Sequence, residues 1–355
     1  MTNTLLSALG WDDARAAELR AAELRAAELP DRPEPAEPGG SAIPGRVVRV
    51  ERGLVRVATE TETLTLATTE ASPAVGDWVL TDGRAVLASL PRRTELRRKE
   101  AGQTSGEQVL AANVDVVVVV EPMDPRPSVR RVERMVTLAW ASGATPLVVL
   151  TKSDLGDGSE VAAVQSVAHG VDVLAVSAEA GTGLDELRTR LRPGQTFVLL
   201  GPSGAGKSTL VNALAGREVL VTASVRGDGR GRHTTTHREL VVVPGVAVLI
   251  DTPGIRGVGL VADEEGLDLA FDDVVSLAEE CRFADCSHVS EPGCAVLRAI
   301  EEGELAAARL TSYRHLLREI AHQSARKGAQ DRSALRALGR QRARTAREAM
   351  SAKGR

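Results

Sequence analysis

The strongest chemical signal in the chain is a glycine-rich octet, Gly201-Pro202-Ser203-Gly204-Ala205-Gly206-Lys207-Ser208. Its spacing is that of a phosphate-binding loop between a strand and a helix. The glycines let backbone N–H groups curl around a β-phosphate at a helix N-terminus, where the dipole favours anions. Lys207 would reach the β- and γ-phosphates as both a binding and a catalytic group, Ser208 would hold Mg²⁺, and Thr209 adjoins the same nucleotide contacts. Downstream, Asp251-Thr252-Pro253-Gly254 follows the apolar run Val246 to Ile250. A carboxylate at a strand end can hold a Mg²⁺ water, and Gly254 lets its N–H approach a γ-phosphate.

Base selection is expected at Thr151-Lys152-Ser153-Asp154, which follows the strand-like Pro146 to Leu150. Asp154 can accept two hydrogen bonds from guanine N1–H and its amino group. Adenine offers no such pair of donors, so a site built this way discriminates strongly. The Lys152 stem can cover the base, and the backbone at Ser177-Ala178 can donate to the guanine O6. These base-reading segments precede the phosphate loop, whereas the order is reversed in Ras-like proteins. Joining the old last helix (Leu184 to Leu191) to the old first strand (from Phe197) through residues 192 to 196 restores the usual set of elements. The nucleotide domain is therefore expected to be a circular permutant.

A second constellation is Cys281-x4-Cys286-x-His288-x5-Cys294, which contains every cysteine of the chain. Three thiolates and an imidazole form the ligand set of a closed, four-coordinate structural Zn²⁺ site. Pro292 and Gly293 would turn the chain back toward the metal.

The elements that must position these groups fall into successive blocks. Residues 1–42 read as an acidic low-complexity arm, expected to be disordered, with Ala-Ala-Glu-Leu-Arg repeating at a period of five that walks around a helix. Residues 43–105 alternate in five short strands separated by turns at Arg52-Gly53, Val75-Gly76 and Asp82-Gly83, which suggests a small OB-fold β-barrel. Its basic end, Arg92, Arg93, Arg97, Arg98 and Lys99, reads either as a solvated loop or as an RNA-facing patch. Residues 106–258 alternate strand and helix, giving a central α/β P-loop domain with a mostly parallel sheet whose sites lie beyond the carboxyl ends of its strands. Val129, Val132, Val136 and Trp140 recur at helical spacing as core positions. Residues 259–322 form the α-helical zinc-binding module, with a helix over 301–322 packing through Leu305, Ala308, Leu316 and Ile320. A basic tail, 323–355, completes a multidomain chain.

The net charge is −4 and aromatic residues make up 2%, which excludes a globally basic nucleic-acid binder and rows of stacked aromatics. The N-terminus shows no cationic stretch ahead of an apolar core. The longest apolar run, Val116 to Val120, is far shorter than the ~20 residues of a membrane helix. A cytoplasmic monomer is the expectation.

The permuted order, Val75-Gly76-Asp77-Trp78-Val79, Ala111-Ala112-Asn113-Val114-Asp115, Gly231-Arg232-His233-Thr234-Thr235-Thr236 and the cysteine cluster together resemble the small-ribosomal-subunit-dependent GTPase A (RsgA) family, from Ile43 to about residue 320. The resemblance implies a GTPase that binds the 30S subunit and its 16S rRNA late in assembly and is stimulated by it. Thr151 stands where Asn is usual, which is expected to weaken purine contacts without changing the preference set by Asp154. Ile255 follows Gly254 where many GTPases place Gln, so intrinsic turnover is expected to be slow. Residues 227–237 resemble the first switch loop, with Thr235 the expected Mg²⁺ and γ-phosphate contact, Thr234 next, and His233 positioning the water. Because the zinc module follows soon after Gly254, movement of the second switch could pull on it. Two competing readings are an RNA-binding module that holds GTP without turnover and a GTPase with a non-ribosomal client.

Overall fold

The computed structural model describes residues 5–27, 42–68, 73–99, 107–220, 238–252 and 261–325. The expected switch residues 227–237, with His233, Thr234 and Thr235, lie outside these ranges. So do Gly254, Ile255 and the tail beyond residue 325. Two helices open the chain, α1 (Leu5–Ala8) and α2 (Asp13–Ala27). The strands β1 (Ile43–Glu51), β2 (Leu54–Ala58), β3 (Thr63–Ala67), β4 (Trp78–Thr81), β5 (Val86–Ser89), β6 (Glu95–Lys99) and β7 (Glu107–Ala112) follow. Then come β8 (Val116–Pro122), α3 (Val129–Ala141), β9 (Thr145–Thr151), α4 (Ser159–Gln165), β10 (Val173–Val176), α5 (Leu184–Arg190), β11 (Thr196–Leu200) and α6 (Lys207–Ala215). The chain continues with β12 (Glu239–Val243), β13 (Ala247–Asp251), α7 (Glu264–Ala270), α8 (Asp272–Glu279) and α9 (Ala295–Glu301), and ends with a helix over 307–325, α10.

The first five strands pair around a circuit. β1 lies between β2 and β4, β2 pairs with β3, and β4 pairs with β5. A parallel bridge between Ala67 and Ala85 closes the ring. Alternation along β2, where Val55 and Val57 are fully buried, points one face inward onto Val47, Leu66 and Val79.

The nucleotide sheet runs in the order β10-β9-β8-β11-β13-β12. All neighbours are parallel except β12, which is antiparallel to β13. The run Val116 to Val120 is buried throughout, as a central parallel strand requires. The permutation is visible in the topology: β11 sits centrally between β8 and β13 although it is late in the chain. β1 also pairs antiparallel with β12 through Arg49 and Glu239, so barrel and nucleotide sheet form a single compact unit. That unit is drawn from residues up to Arg98 and from Val109–Ser276. Lys99–Gln108 and the chain from Leu277 make up a second.

Three expectations are corrected. The N-terminal segment forms helices at Leu5–Ala8 and Asp13–Ala27, anchored by Leu6 and Leu9 ahead of the repeat and by Arg15 and Glu18 within it, the first three 3% exposed. The basic stretch 92–99 is not a loop throughout. Its second half is β6, made a strand by pairing with β7. The expected helix over 301–322 begins only at residue 307. In α10 Leu316 and Ile320 are buried as expected, but Ala308 is exposed and Arg309 and Leu310 are buried in its stead. No helix among the described residues is long and apolar enough to cross a membrane.

Candidate nucleotide site and metal centre

The parallel strands bring the separated motifs to one edge of the sheet. Strand β11 ends at Leu200, directly before the glycine-rich loop, and pairs in register with β8 up to Val119. Gly201 must be glycine, because a Cβ there would stand 2.2 Å from the Val120 carbonyl oxygen of that strand. Gly204 and Gly206 both take positive φ, and α6 opens at Lys207. Lys207 Nζ donates to the carbonyls of Gly201 (2.9 Å) and Pro202 (2.7 Å), folding its ammonium back over the loop. Ser208 is half-buried and Thr209 exposed, both within the first turn of α6. Asp251 ends β13 opposite Glu239, and Thr252 after it is buried.

The residues expected to read the base lie at the same edge, since Thr151 at the end of β9 pairs with Pro122 of β8 and Val176 of β10. The chain then turns sharply at Lys152 (φ +58°) into a 3₁₀ turn at Ser153–Leu155 that leaves Asp154 exposed. Lys152 Nζ donates to the Asp124 carbonyl (3.0 Å). Ser177 is fully buried, and its Oγ accepts from Ala180 N–H (3.0 Å), shaping the turn that carries Ala178. Beneath these loops Glu121, fully buried, is paired with Arg131, whose Nη2 lies 2.8 Å from Glu121 Oε2. That carboxylate raises the Arg131 pKa against partial burial.

The role of Thr151 could not be read from the sequence. Its hydroxyl does not face the base loop. Oγ1 donates to the Ala205 carbonyl at 2.6 Å, tying the base-reading edge to the glycine-rich loop from a 4%-exposed position. Thr151→Val leaves that buried carbonyl unpartnered, a cost of about 1–3 kcal/mol. The expected outcome is a folded protein whose GDP titration shows about tenfold weaker binding. An unchanged titration would mean that the tie does not shape the loop.

The second unit holds the cysteine cluster. The ligand atoms of Cys281, Cys286, His288 and Cys294 all lie within 4.8 Å of one another. Sγ of Cys281 and Sγ of Cys294 are 3.8 Å apart, and they stand 3.6 and 3.4 Å from His288 Nδ1. A tetrahedral ion with thiolate and imidazole bonds of the usual lengths has edges of about 3.8 Å between sulfurs and about 3.6 Å from sulfur to nitrogen. Three of the four ligand atoms therefore already stand at the spacing of a tetrahedral metal ion, and the fourth, on Cys286, lies within 4.8 Å of them. Burial pushes the Cys281 thiol up, but hydrogen bonds from the N–H groups of Ala295 and Val296, together with those shared with Cys294 and Cys286, leave the group below its ordinary range. Sequence reasoning missed Glu291. Its carboxylate accepts from Ser287 Oγ and from the N–H groups of Ser287, Val289 and Ser290, and these bonds, led by the Ser287 hydroxyl, hold it well below the usual carboxylate range. Glu291 thereby closes the tight loop between two metal ligands.

A P-loop at the centre of a parallel sheet, with base-reading segments that precede it in the chain, defines a circularly permuted GTPase. A model of the RsgA GTPase family matches residues 89–261. A small ribosomal subunit biogenesis GTPase RsgA from Streptomyces coelicolor is 45% identical over 368 residues, covering 99% of this chain and 96% of the relative. One of the same name from Methanosarcina acetivorans is 45% identical over 261 residues, 71% of each. Among solved structures, YjeQ from Thermotoga maritima matches with a TM-score of 0.59 at 25% identity over 79% of this chain and 99% of that one. YloQ, a circularly permuted GTPase, gives 0.57 at 24% identity over 82% of this chain and 99% of that one, a likeness of fold. The chain belongs to the RsgA GTPase family and is a GTP hydrolase.

Proposed function

We propose that this GTPase acts in the biogenesis of the small ribosomal subunit, binding the 30S particle through its 16S rRNA and hydrolysing GTP late in assembly. The carrying observation is the 45% identity along 99% of the chain to a relative named for small-subunit biogenesis. The strand circuit closed by Ala67 and Ala85 supports an OB-fold barrel, an architecture that commonly meets nucleic acid. The chain reads as a cytoplasmic monomer with an OB barrel over 43–105, a permuted GTPase domain over 106–258, a zinc module over 259–322 and a basic tail from 323.

Each residue has an assigned task. Gly201, Pro202, Ser203, Gly204, Ala205 and Gly206 cradle the phosphates, with Lys207, Ser208 and Thr209 at the start of α6. Ser208 and Thr235 would hold Mg²⁺, with Asp251 through a water, and Gly254 meets the γ-phosphate. The metal would neutralise charge developing on the β- and γ-oxygens. Asp154 and Lys152 read the base beside Ser153, Ser177 and Ala178, while Thr151 supports them from behind. His233 orients the attacking water in place of the glutamine that Ile255 displaces. Cys281, Cys286, His288 and Cys294 hold one structural Zn²⁺, the closed set of four leaving no open position for catalysis.

The deciding measurement is GTP hydrolysis with and without purified 30S and 50S subunits, with ATP as control. Strong stimulation by 30S alone is expected. A flat response would remove the ribosomal partner and leave the GTPase. His233→Ala retaining full stimulated turnover would remove the role given to that side chain.

A further inference from the structure

The joint created by the permutation, residues 191–195 between α5 and β11, is covered by the N-terminal segment. Gly10 (φ +93°) lies so close to it that a Cβ would stand 2.3 Å from the Gly194 carbonyl oxygen. Leu6 and Leu9 just before it are buried, and the Trp11 ring meets Trp78 edge-on at 5.0 Å.

Next to this contact sits Arg46 of β1, which is 1% exposed and stacks its guanidinium on Trp78 at 5.0 Å. Its donors reach four neutral acceptors: Leu9 O on the N-terminal segment, Gly76 O (3.4 Å), Asn113 O (3.4 Å) and Thr196 Oγ1 (2.7 Å). Burial pulls its pKa down to about 10, with Asp115 and Asp77 opposing through space, so it stays charged at neutral pH. Asn113 is held in turn, its Nδ2 donating to Gly76 O (3.0 Å) and its Oδ1 accepting from Arg15 of α2 (2.6 Å). Thr196 is the first residue of β11. Its N–H donates to Asp115 Oδ2 (2.6 Å), its carbonyl accepts from Asp115 N–H (2.8 Å), and its strand runs straight into Gly201.

We propose that the segment Leu5–Arg20 is a clasp over the permutation joint, and that Arg46, anchored by the Leu9 carbonyl, is a positioning residue for the strand that carries the phosphate loop. The physical reason is that a permuted domain replaces a pair of free chain ends with a short bridge at the root of its central strand. Any looseness there shifts the loop five residues further on. A buried guanidinium needs all its acceptors, so the clasp, the barrel and β11 are fixed by one group.

The loop-positioning part rests on the reading of Gly201–Ser208 as the phosphate site, so the test reads the joint and the site separately. Hydrogen exchange over 194–200 and the GDP dissociation constant are measured for the full chain, for a chain lacking residues 1–12, for Gly10→Val and for Arg46→Gln. Thr196→Val, which removes one acceptor, serves if the stronger variants do not fold. Exchange over 194–200 is expected to quicken, and the dissociation constant to rise, each about tenfold. Thr196→Val moves both in the same direction by a smaller factor, and the metal content of the cysteine cluster stays unchanged. Unaltered exchange overturns the clasp. Faster exchange or a lower melting temperature with an unchanged dissociation constant overturns the positioning role. Failure of the unaltered chain to bind GDP would instead count against the phosphate-loop reading, with the exchange arm still deciding the clasp.

Discussion

Lys207→Met is expected to lower GTP hydrolysis by on the order of 10²–10³-fold, the loss seen when one preorganised electrostatic group is removed from a transition state. The side chain is half-buried at the first residue of α6, where the helix dipole already favours an anion. Its ammonium is held by the Gly201 and Pro202 carbonyls at 2.9 and 2.7 Å, so it is poised at the mouth of the loop rather than free in solvent. Met keeps the length of the stem, removes the charge and leaves both carbonyls without that donor. Lys207→Arg should not rescue, because a planar guanidinium cannot take the place of a compact ammonium between two carbonyls. Single-turnover hydrolysis and separate GDP and GTP titrations check this, with a larger loss expected for GTP. Unchanged turnover would mean that another group supplies the charge.

That residue was legible because the phosphate loop is a local motif: its glycines, lysine and serine are adjacent in sequence and act together wherever a strand feeds a helix. The cysteine cluster was legible for the same reason. What the sequence hid depends on distant neighbours. Arg46 alternates with valines in a strand and reads as a solvent-facing residue, yet four neutral acceptors from separate segments make room for it inside. The motifs Val75–Val79 and Ala111–Asp115 stand out in the chain without announcing a task. In the fold they meet, Asn113 Nδ2 on Gly76 O and Asp115 on Thr196, at the root of the central strand. The period-five repeat hid α2 because no single face is apolar. The segment is fixed by Leu6, Leu9 and Arg15, two of which precede the repeat. Strand β6 was hidden by its basic side chains, and only its partner β7, after residues 100–106, makes it a strand.

The permutation itself follows from parallel-sheet geometry. Among the described residues, the glycine-rich loop, Thr151–Asp154, Ser177–Ala178 and Asp251 all follow or end the carboxyl ends of β9, β10, β11 and β13, so which strand comes first in the chain does not alter what they can build. The altered part is at the opposite, amino-terminal end of β11, where Asp115 and Thr196 exchange two hydrogen bonds. Sequence order can change at one end of a sheet while the chemistry at the other end is preserved, provided that the new joint is held.

The second large effect is expected from removing the metal. The loop Cys281–Cys294 has little apolar burial of its own, since Phe283 is 42% and Val289 53% exposed. His288 takes a left-handed backbone (φ +55°), a cost of about 1–2 kcal/mol that a ligand bond can offset. Cys294 both contributes a ligand atom and caps α9, its Sγ accepting from Leu297 N–H at 3.4 Å. Structural zinc sites in small modules are worth about 10–16 kcal/mol at neutral pH, more than this loop can recover from its own contacts. If the proposed zinc fills the cluster, chelation or Cys294→Ser should release it and abolish exchange protection over 281–300. GDP binding should persist, because the glycine-rich loop and the cysteine loop belong to different compact units. Zinc content is read by elemental analysis and protection by exchange mass spectrometry. Full protection in a metal-free chain would show that Glu291 and α9 hold the loop without an ion, and the structural role of the metal would fall.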